Sequence, residues 1–216
     1  WEIAYEDASS VAQPLIQVNN ENGGQPITVE PDVMRMRCAA GQEGYFVVFG
    51  TGQYLSEDDF SITDTQTFYG VWDWQDAWDA DPQLRYLGAF TASDATPTLS
   101  NPPTGADDLT LLEQEVESSV TAGAYDYRIL SANAISYFYF ADSPPHGDAD
   151  VFQDHAGWFF NLNGDARARV IRNPSIRPGQ GEDLGIVTFI SSIPSVSPCE
   201  AGGDSWLYQA SVCTGG

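Results

Sequence analysis

The chain has 216 residues, 42% of them hydrophobic and 12% aromatic, which is the composition of a globular protein with one good core and not of a disordered segment. Its 31 acidic residues face only 8 basic ones, all Arg, for a formal net charge of −23. So negative a surface repels nucleic acid and anionic membrane, and suits divalent cations, a basic partner or a salty medium; in itself it specifies no ligand.

Trp1–Gln25 is polar and rich in Gly and Asn, with one apolar island at Leu15 and Ile16. The first residue is Trp, so a leader or a larger N-terminal region is expected to have been removed. No stretch resembles a signal peptide, and no apolar run approaches the roughly 20 residues that span a bilayer. Ile27–Arg37 reads as a strand with Pro31 near its start, and a Gly-bearing turn leads into the apolar run Tyr45–Phe49, stopped by Gly50 and Gly52. An acidic loop with Asp58, Asp59 and Asp64 follows, then a strand over Thr67–Trp72.

Beyond it, WDWQDAWDADP alternates Trp72, Trp74 and Trp78 with Asp73, Asp76, Asp79 and Asp81. Leu87–Thr110 is rich in Pro, Thr, Ser and Asp and reads as an exposed connection. Leu112, Val116 and Val120 are spaced four apart, as on a helix, yet the turn-rich flanks favour strand over Leu109–Val120. Tyr125–Ser131, Ser136–Ala141, Gly157–Leu162, Ala168–Asn173, Leu184–Ile190 and Ser205–Ala210 are further strand candidates between turns. The class is all-β.

Two arrangements hint at a repeat. ITVEPDV at Ile27–Val33 is similar to VIRNPSI at Val170–Ile176, and each is followed by a turn, an apolar strand, a loop and a strand ending in aromatics. Such a unit is what blades of a β-propeller look like in sequence.

The wording of the blocks says more. QPITVEPDV (25–33), YFVVFGTGQYL (45–55), TDTQTFYGVWD (63–73), GWFFNL (157–162) and IPSVSPCEAGGDSWLYQAS (193–211) resemble, in this order, the C-terminal β-propeller of PilC/PilY-type type IV pilus tip proteins. The resemblance implies four-stranded antiparallel blades. It also implies a non-enzymatic, extracellular or surface protein at or near the pilus tip, acting in pilus assembly and adhesion. Its partners would be minor pilins or other pilus components, and a host or surface glycan or protein.

The family's calcium loop, of the Asp-x-Asp-x-Asn/Asp-Gly type, does not occur in these residues. The length suits two to three blades at roughly 40–50 residues each, so the blade set is expected to be incomplete and finished by the same or another polypeptide. Within a propeller segment covering 1–216, blade-like units are expected at about 25–120 and 121–216, with an insertion at about 87–108.

Three groups carry candidate chemistry. Asp148, Asp150 and Asp154, between His146 and His155, have offsets a calcium loop could use, though a mid-loop Gly and a terminal Glu are missing; an acidic solvated turn is the plainer reading. Trp72, Trp74 and Trp78 with Asp76 and Asp79 could stack on and bind a sugar, against the plainer reading of blade packing with turn-capping acids. This leaves a secreted carbohydrate-binding or carbohydrate-active propeller, or an acidic surface filament component, as alternative functions. No GxSxG elbow occurs, and Gly50 and Gly52 precede no helix that would bind phosphate. Of the three cysteines, Cys199 with Cys213 is the favoured disulfide and Cys38 with Cys213 the rival; either suits an oxidising compartment.

Overall fold

The computed structural model describes residues 4–6, 12–38, 44–73, 86–100, 109–137, 155–179, 185–195 and 203–216. Among them the elements are β1 (Ala4–Glu6), β2 (Ala12–Pro14), β3 (Gln17–Asn20), β4 (Gly23–Gly24), β5 (Asp32–Met36), β6 (Gly44–Gly50), a 3-10 turn (Glu57–Ser61), β7 (Thr67–Asp73), β8 (Ala89–Thr91), β9 (Thr110–Gln114), β10 (Val116–Ala122), β11 (Tyr125–Leu130), β12 (His155–Asn161), β13 (Ser175–Pro178), β14 (Gly185–Pro194) and β15 (Gly203–Ser211). The class is all-β, as the turn-separated apolar runs predict.

The central sheet has the order β5-β6-β7-β12-β9. Its first four strands are mutually antiparallel, and β9 joins the edge in parallel with β12. Every residue of β7 is buried, so this strand is covered on both faces and reads as a continuous run instead of an alternation. The sheet also crosses the boundary expected at 120/121. The strand beside β7 is β12, so the blade takes its fourth strand from beyond residues 74–154. Pairing register defines the unit here, and a block repeat in sequence does not report register.

A second sheet, β13-β14-β15, packs against the first through an aromatic column. Phe68 stacks on Phe189 at 3.7 Å between centroids, and Phe189 on Tyr208 at 4.8 Å. Phe160 closes the group 5.2 Å from Tyr208. Each such ring removes a large apolar area from water, so this column holds the two sheets together. Between the sheets, residues 168–173 do not form a strand. The Arg169 N–H donates to Ser192 O and the Val170 N–H to Thr51 O, so successive amides bond to different segments and no ladder builds up.

A small sheet, β4-β3-β8, includes part of the supposed exposed connection. Leu87, Phe90 and Leu99 are buried, and Phe90 meets Phe159 at 5.2 Å. The Pro- and Thr-rich composition of 87–110 hides these apolar anchors. The four-apart spacing in 109–120 does not make a helix: β9 and β10 occupy it. Strands β10 and β11 form a separate hairpin, and β1 pairs with β2. Among the described residues these sheets do not close a ring.

The disulfide joins Cys38 to Cys213 across 175 residues of sequence. This corrects the favoured Cys199–Cys213 pairing. Cys199 lies outside the described residues and precedes the nine-residue strand β15, whereas Cys213 follows it. The Cys213 sulfur is bonded to Cys38 and is therefore not open to Cys199. The proximity in sequence is therefore misleading.

Candidate functional site

The acidic loop after β6 is built around Asp59, which is 2% exposed. Its carboxylate accepts the amides of Leu55 (2.7 Å) and Ser56 (2.8 Å) and the Gln53 side-chain amide (2.6 Å). These donors, the two backbone amides first, hold its carboxyl below the usual range against the opposing effect of burial. Arg169, equally buried, reaches in from the segment between the two sheets. Its guanidinium donates to the carbonyls of Gln53 (2.7 Å), Asp59 (2.8 Å) and Ile62 (3.0 Å), and its Nε to Arg167 O (3.0 Å). Burial lowers its pKa, but an arginine remains a cation throughout. Both charges are consumed in fixing the loop, so Asp59 presents no free carboxylate to a substrate or cation. Asp58 is exposed, and Asp64 accepts the Asn22 side-chain amide at 2.7 Å.

A second polar system runs through the core with every donor pointing the same way. Tyr69 donates its hydroxyl to Gln25 Oε1 (2.6 Å), Gln25 Nε2 donates to Thr67 Oγ1 (2.9 Å), and Thr67 donates to Asn161 Oδ1 (2.8 Å). Asn161 Nδ2 then donates to Glu113 Oε1 at 2.9 Å. An aligned chain of this kind polarises each successive bond and ends on the one group able to carry the charge. Burial nevertheless raises the Glu113 pKa, offset in part by Asn161 and reinforced by the negative charge of Glu115.

Glu113 opens onto a cleft of about 310 Å³, lined also by Asn161, Arg128, Asp165 and Tyr208. Arg128 pairs with Asp165 at 2.6 Å, donates to the Tyr208 hydroxyl at 3.1 Å and lies 3.9 Å over the Trp206 ring. The cleft thus offers one carboxylate under a donor and one neutralised cation. Among the described residues that line it, no nucleophile is paired with a base.

The predicted site residues are placed as follows. Trp72 is wholly buried, in contact with Phe46 and Tyr137, so it is a core residue and not a ligand platform. Trp74, Trp78, Asp76 and Asp79 lie outside the described residues, as do Asp148, Asp150 and Asp154. His155, at the end of the latter cluster, begins β12, and its Nδ1 accepts the Ser136 amide at 3.1 Å. Among the described residues no three His, Cys, Asp or Glu side chains gather as a metal site.

Arg169 and Glu113 were not singled out from the sequence. The signal for Arg169 is a charge inside the apolar stretch Ala168–Val170; for Glu113 it is a charge continuing the alternation of Leu109 and Leu111, both buried.

Comparison with known proteins supplies the context for this arrangement. The family described as the PilY1 beta-propeller domain matches residues 7–87. The type IV pilus biogenesis factor PilY1 of Pseudomonas aeruginosa is 28% identical over 210 residues, covering 94% of this chain and 15% of that protein. The PilY1 homolog of Xylella fastidiosa is 26% identical over 222 residues, covering all of this chain and 12% of the homolog. The chain therefore spans only a small part of the relatives that it matches. The crystal structure of the Pseudomonas aeruginosa PilY1 C-terminal domain shares the fold, with a TM-score of 0.61 at 23% identity over 94% of this chain and 35% of that one. In its ordered sequence blocks, its all-β sheets and these matches together, the chain is similar to a segment of the PilY1 β-propeller and shares its fold.

Proposed function

We propose that this chain is part of a non-enzymatic type IV pilus biogenesis factor that works at the pilus tip, outside the cell, and contributes to adhesion. The observation that carries this reading is the match of nearly the whole chain to proteins named as type IV pilus biogenesis factors. Its partners are minor pilins or other pilus components, with a glycan or protein of the colonised surface as the adhesion target. The unclosed sheets suit completion by further blades from the same or another polypeptide. A partly buried disulfide cross-link suits an oxidising, extracytoplasmic setting. The use of Asp59 and Arg169 to hold a loop favours a scaffold over a catalyst.

Exchange of residues 155–216 for a Gly/Ser linker in the parent protein tests the reading. Pilus number by electron microscopy should fall, and antibody gold on the unaltered protein should mark filament ends. Normal piliation together with label along the whole filament would instead indicate a structural filament component. Calcium at Asp148, Asp150 and Asp154 is proposed separately. A rise in melting temperature on adding calcium, absent when the three are changed to Asn, is the expected result; no response to calcium or chelator removes the ion from the account.

A further inference from the structure

The β10–β11 hairpin stands in solvent on both faces, and its apolar residues are gathered on one of them. Its register pairs Val120 with Tyr127, Ala122 with Tyr125 and Ser118 with Ile129, which sets these residues on one face of the ribbon. That face is in solvent: Val120 is 49% exposed, Tyr125 70%, Tyr127 52% and Ile129 50%. The other face carries Ser119, Thr121 and Asp126, which are exposed as well, and Arg128, which ties this face to the body. Thr121 donates to Asp126 at 2.6 Å, and Arg128 reaches Asp165 and Tyr208 of the body.

A two-stranded ribbon is marginal in water without something to cover its apolar side. A contiguous apolar patch at the end of an anchored projection is the kind that binds. Among the described strands, β10 and β11 pair only with each other, so their outer edges are also open to a further strand.

Charge selects the occupant. The ionic groups at the hairpin are Glu115, Glu117, Asp126 and Arg128, and the one cation is already paired with Asp165. The surface offered is apolar with an acidic rim, on a chain of net charge −23. A second copy meets like charge, as does an anionic bilayer. We propose that this hairpin docks an extended cationic polypeptide strand, with its apolar side chains on Val120, Tyr125, Tyr127 and Ile129 and its Lys or Arg residues beside Glu117 and Asp126. The inference stands on the hairpin alone and does not depend on the pilus reading.

The test uses the full chain and a short synthetic peptide of alternating Val and Lys, with fluorescence anisotropy to measure affinity. The double variant Val120→Thr/Tyr127→Thr keeps charge and strand propensity, and should bind at least about tenfold more weakly. Leu207→Thr, which removes an exposed apolar residue elsewhere, should bind as the parent does. Hydrogen exchange on the unmutated chain should show peptide-induced protection over residues 118–129, a readout independent of how the variants fold. Equal binding by parent and double variant, or protection outside the hairpin, would mean that the peptide reads only net charge and would overturn the proposal. So would self-association of the parent lost in the double variant, or binding to phosphatidylcholine vesicles through the same residues, since these make the occupant a second copy or a lipid surface.

Discussion

Gly70 of β7 lies opposite Trp158 of β12, and the indole takes the space that a side chain at residue 70 would fill. A Cβ there would stand 2.4 Å from Trp158 Cε2 and 2.7 Å from a Phe46 ring carbon. Trp158 cannot yield easily, because its Nε1 donates to Val212 O at 2.7 Å and its ring is 1% exposed. Gly70→Ala should therefore destabilise the fold by about 1–3 kcal/mol or more, through overpacking and not through strand propensity. Urea unfolding checks this. A variant as stable as the parent would show that Trp158 repacks freely.

Removing the Cys38–Cys213 bridge frees the whole span between them. In the chain-entropy account, closing 175 residues is worth about 5 kcal/mol, so Cys38→Ser should lower the urea midpoint sharply while Cys199→Ser leaves it nearly unchanged. Non-reducing peptide mapping by mass spectrometry should recover the 38–213 linked pair. A 199–213 pair would overturn the assignment.

Arg169→Met keeps the length of the side chain and deletes its donors. The carbonyls of Gln53, Asp59, Ile62 and Arg167 would lose this donor, Asp59 O keeping only the Ile62 amide, at a cost of about 3–5 kcal/mol. Amide exchange should accelerate first across residues 53–62, because three of the four carbonyls that Arg169 holds lie in that loop. Uniform acceleration over the chain would mean that the arginine supports the global fold and not this loop.

Two carboxyls should make stability depend on pH in opposite senses. Asp59 has a folded pKa below its ordinary 3.8, so its contribution is present above that value and is lost as pH falls through the folded pKa. Glu113 has a folded pKa above its ordinary 4.5, so it weakens the fold as pH rises through that interval and beyond. Thermal melts should show Glu113→Gln more stable than the parent at neutral pH, with the difference gone below about pH 4. Asp59→Asn should be less stable at neutral pH and should converge on the parent in acid. The reverse order at neutral pH would refute both assignments.

The strands were legible where the information is local. Tyr45–Phe49, Thr67–Trp72 and Gly157–Leu162 are runs of aromatic and β-branched residues bounded by turn formers, and each is a strand of the central sheet. Partnership was not legible. No local pattern says that β12 lies against β7 when residues 74–154 intervene, or that Cys213 reaches Cys38 and not the nearer Cys199. Trp72 shows the same limit: a Trp beside aspartates has the composition of a sugar platform, yet its position on a strand covered on both faces places it in the core. Arg169 was hidden because its partners are main-chain carbonyls, which carry no sequence signature.

The adjacency of β7 and β12 also makes the intervening chain a cassette. The backbone leaves the antiparallel part of the sheet at Asp73 and returns to it at His155, adding only the edge strand β9 to the sheet in between among the described residues, and Val71 and Gly157 are already cross-strand partners. Whatever lies between starts and finishes at neighbouring points, so its length is nearly decoupled from blade geometry: lengthening a closed loop costs only about 0.6 kcal/mol per doubling. Such a position can accept new sequence, including β9 and the hairpin that already stand there, while the four antiparallel strands keep their register. Variation in what the protein touches can thus accumulate at this seam without rebuilding the blade that carries it.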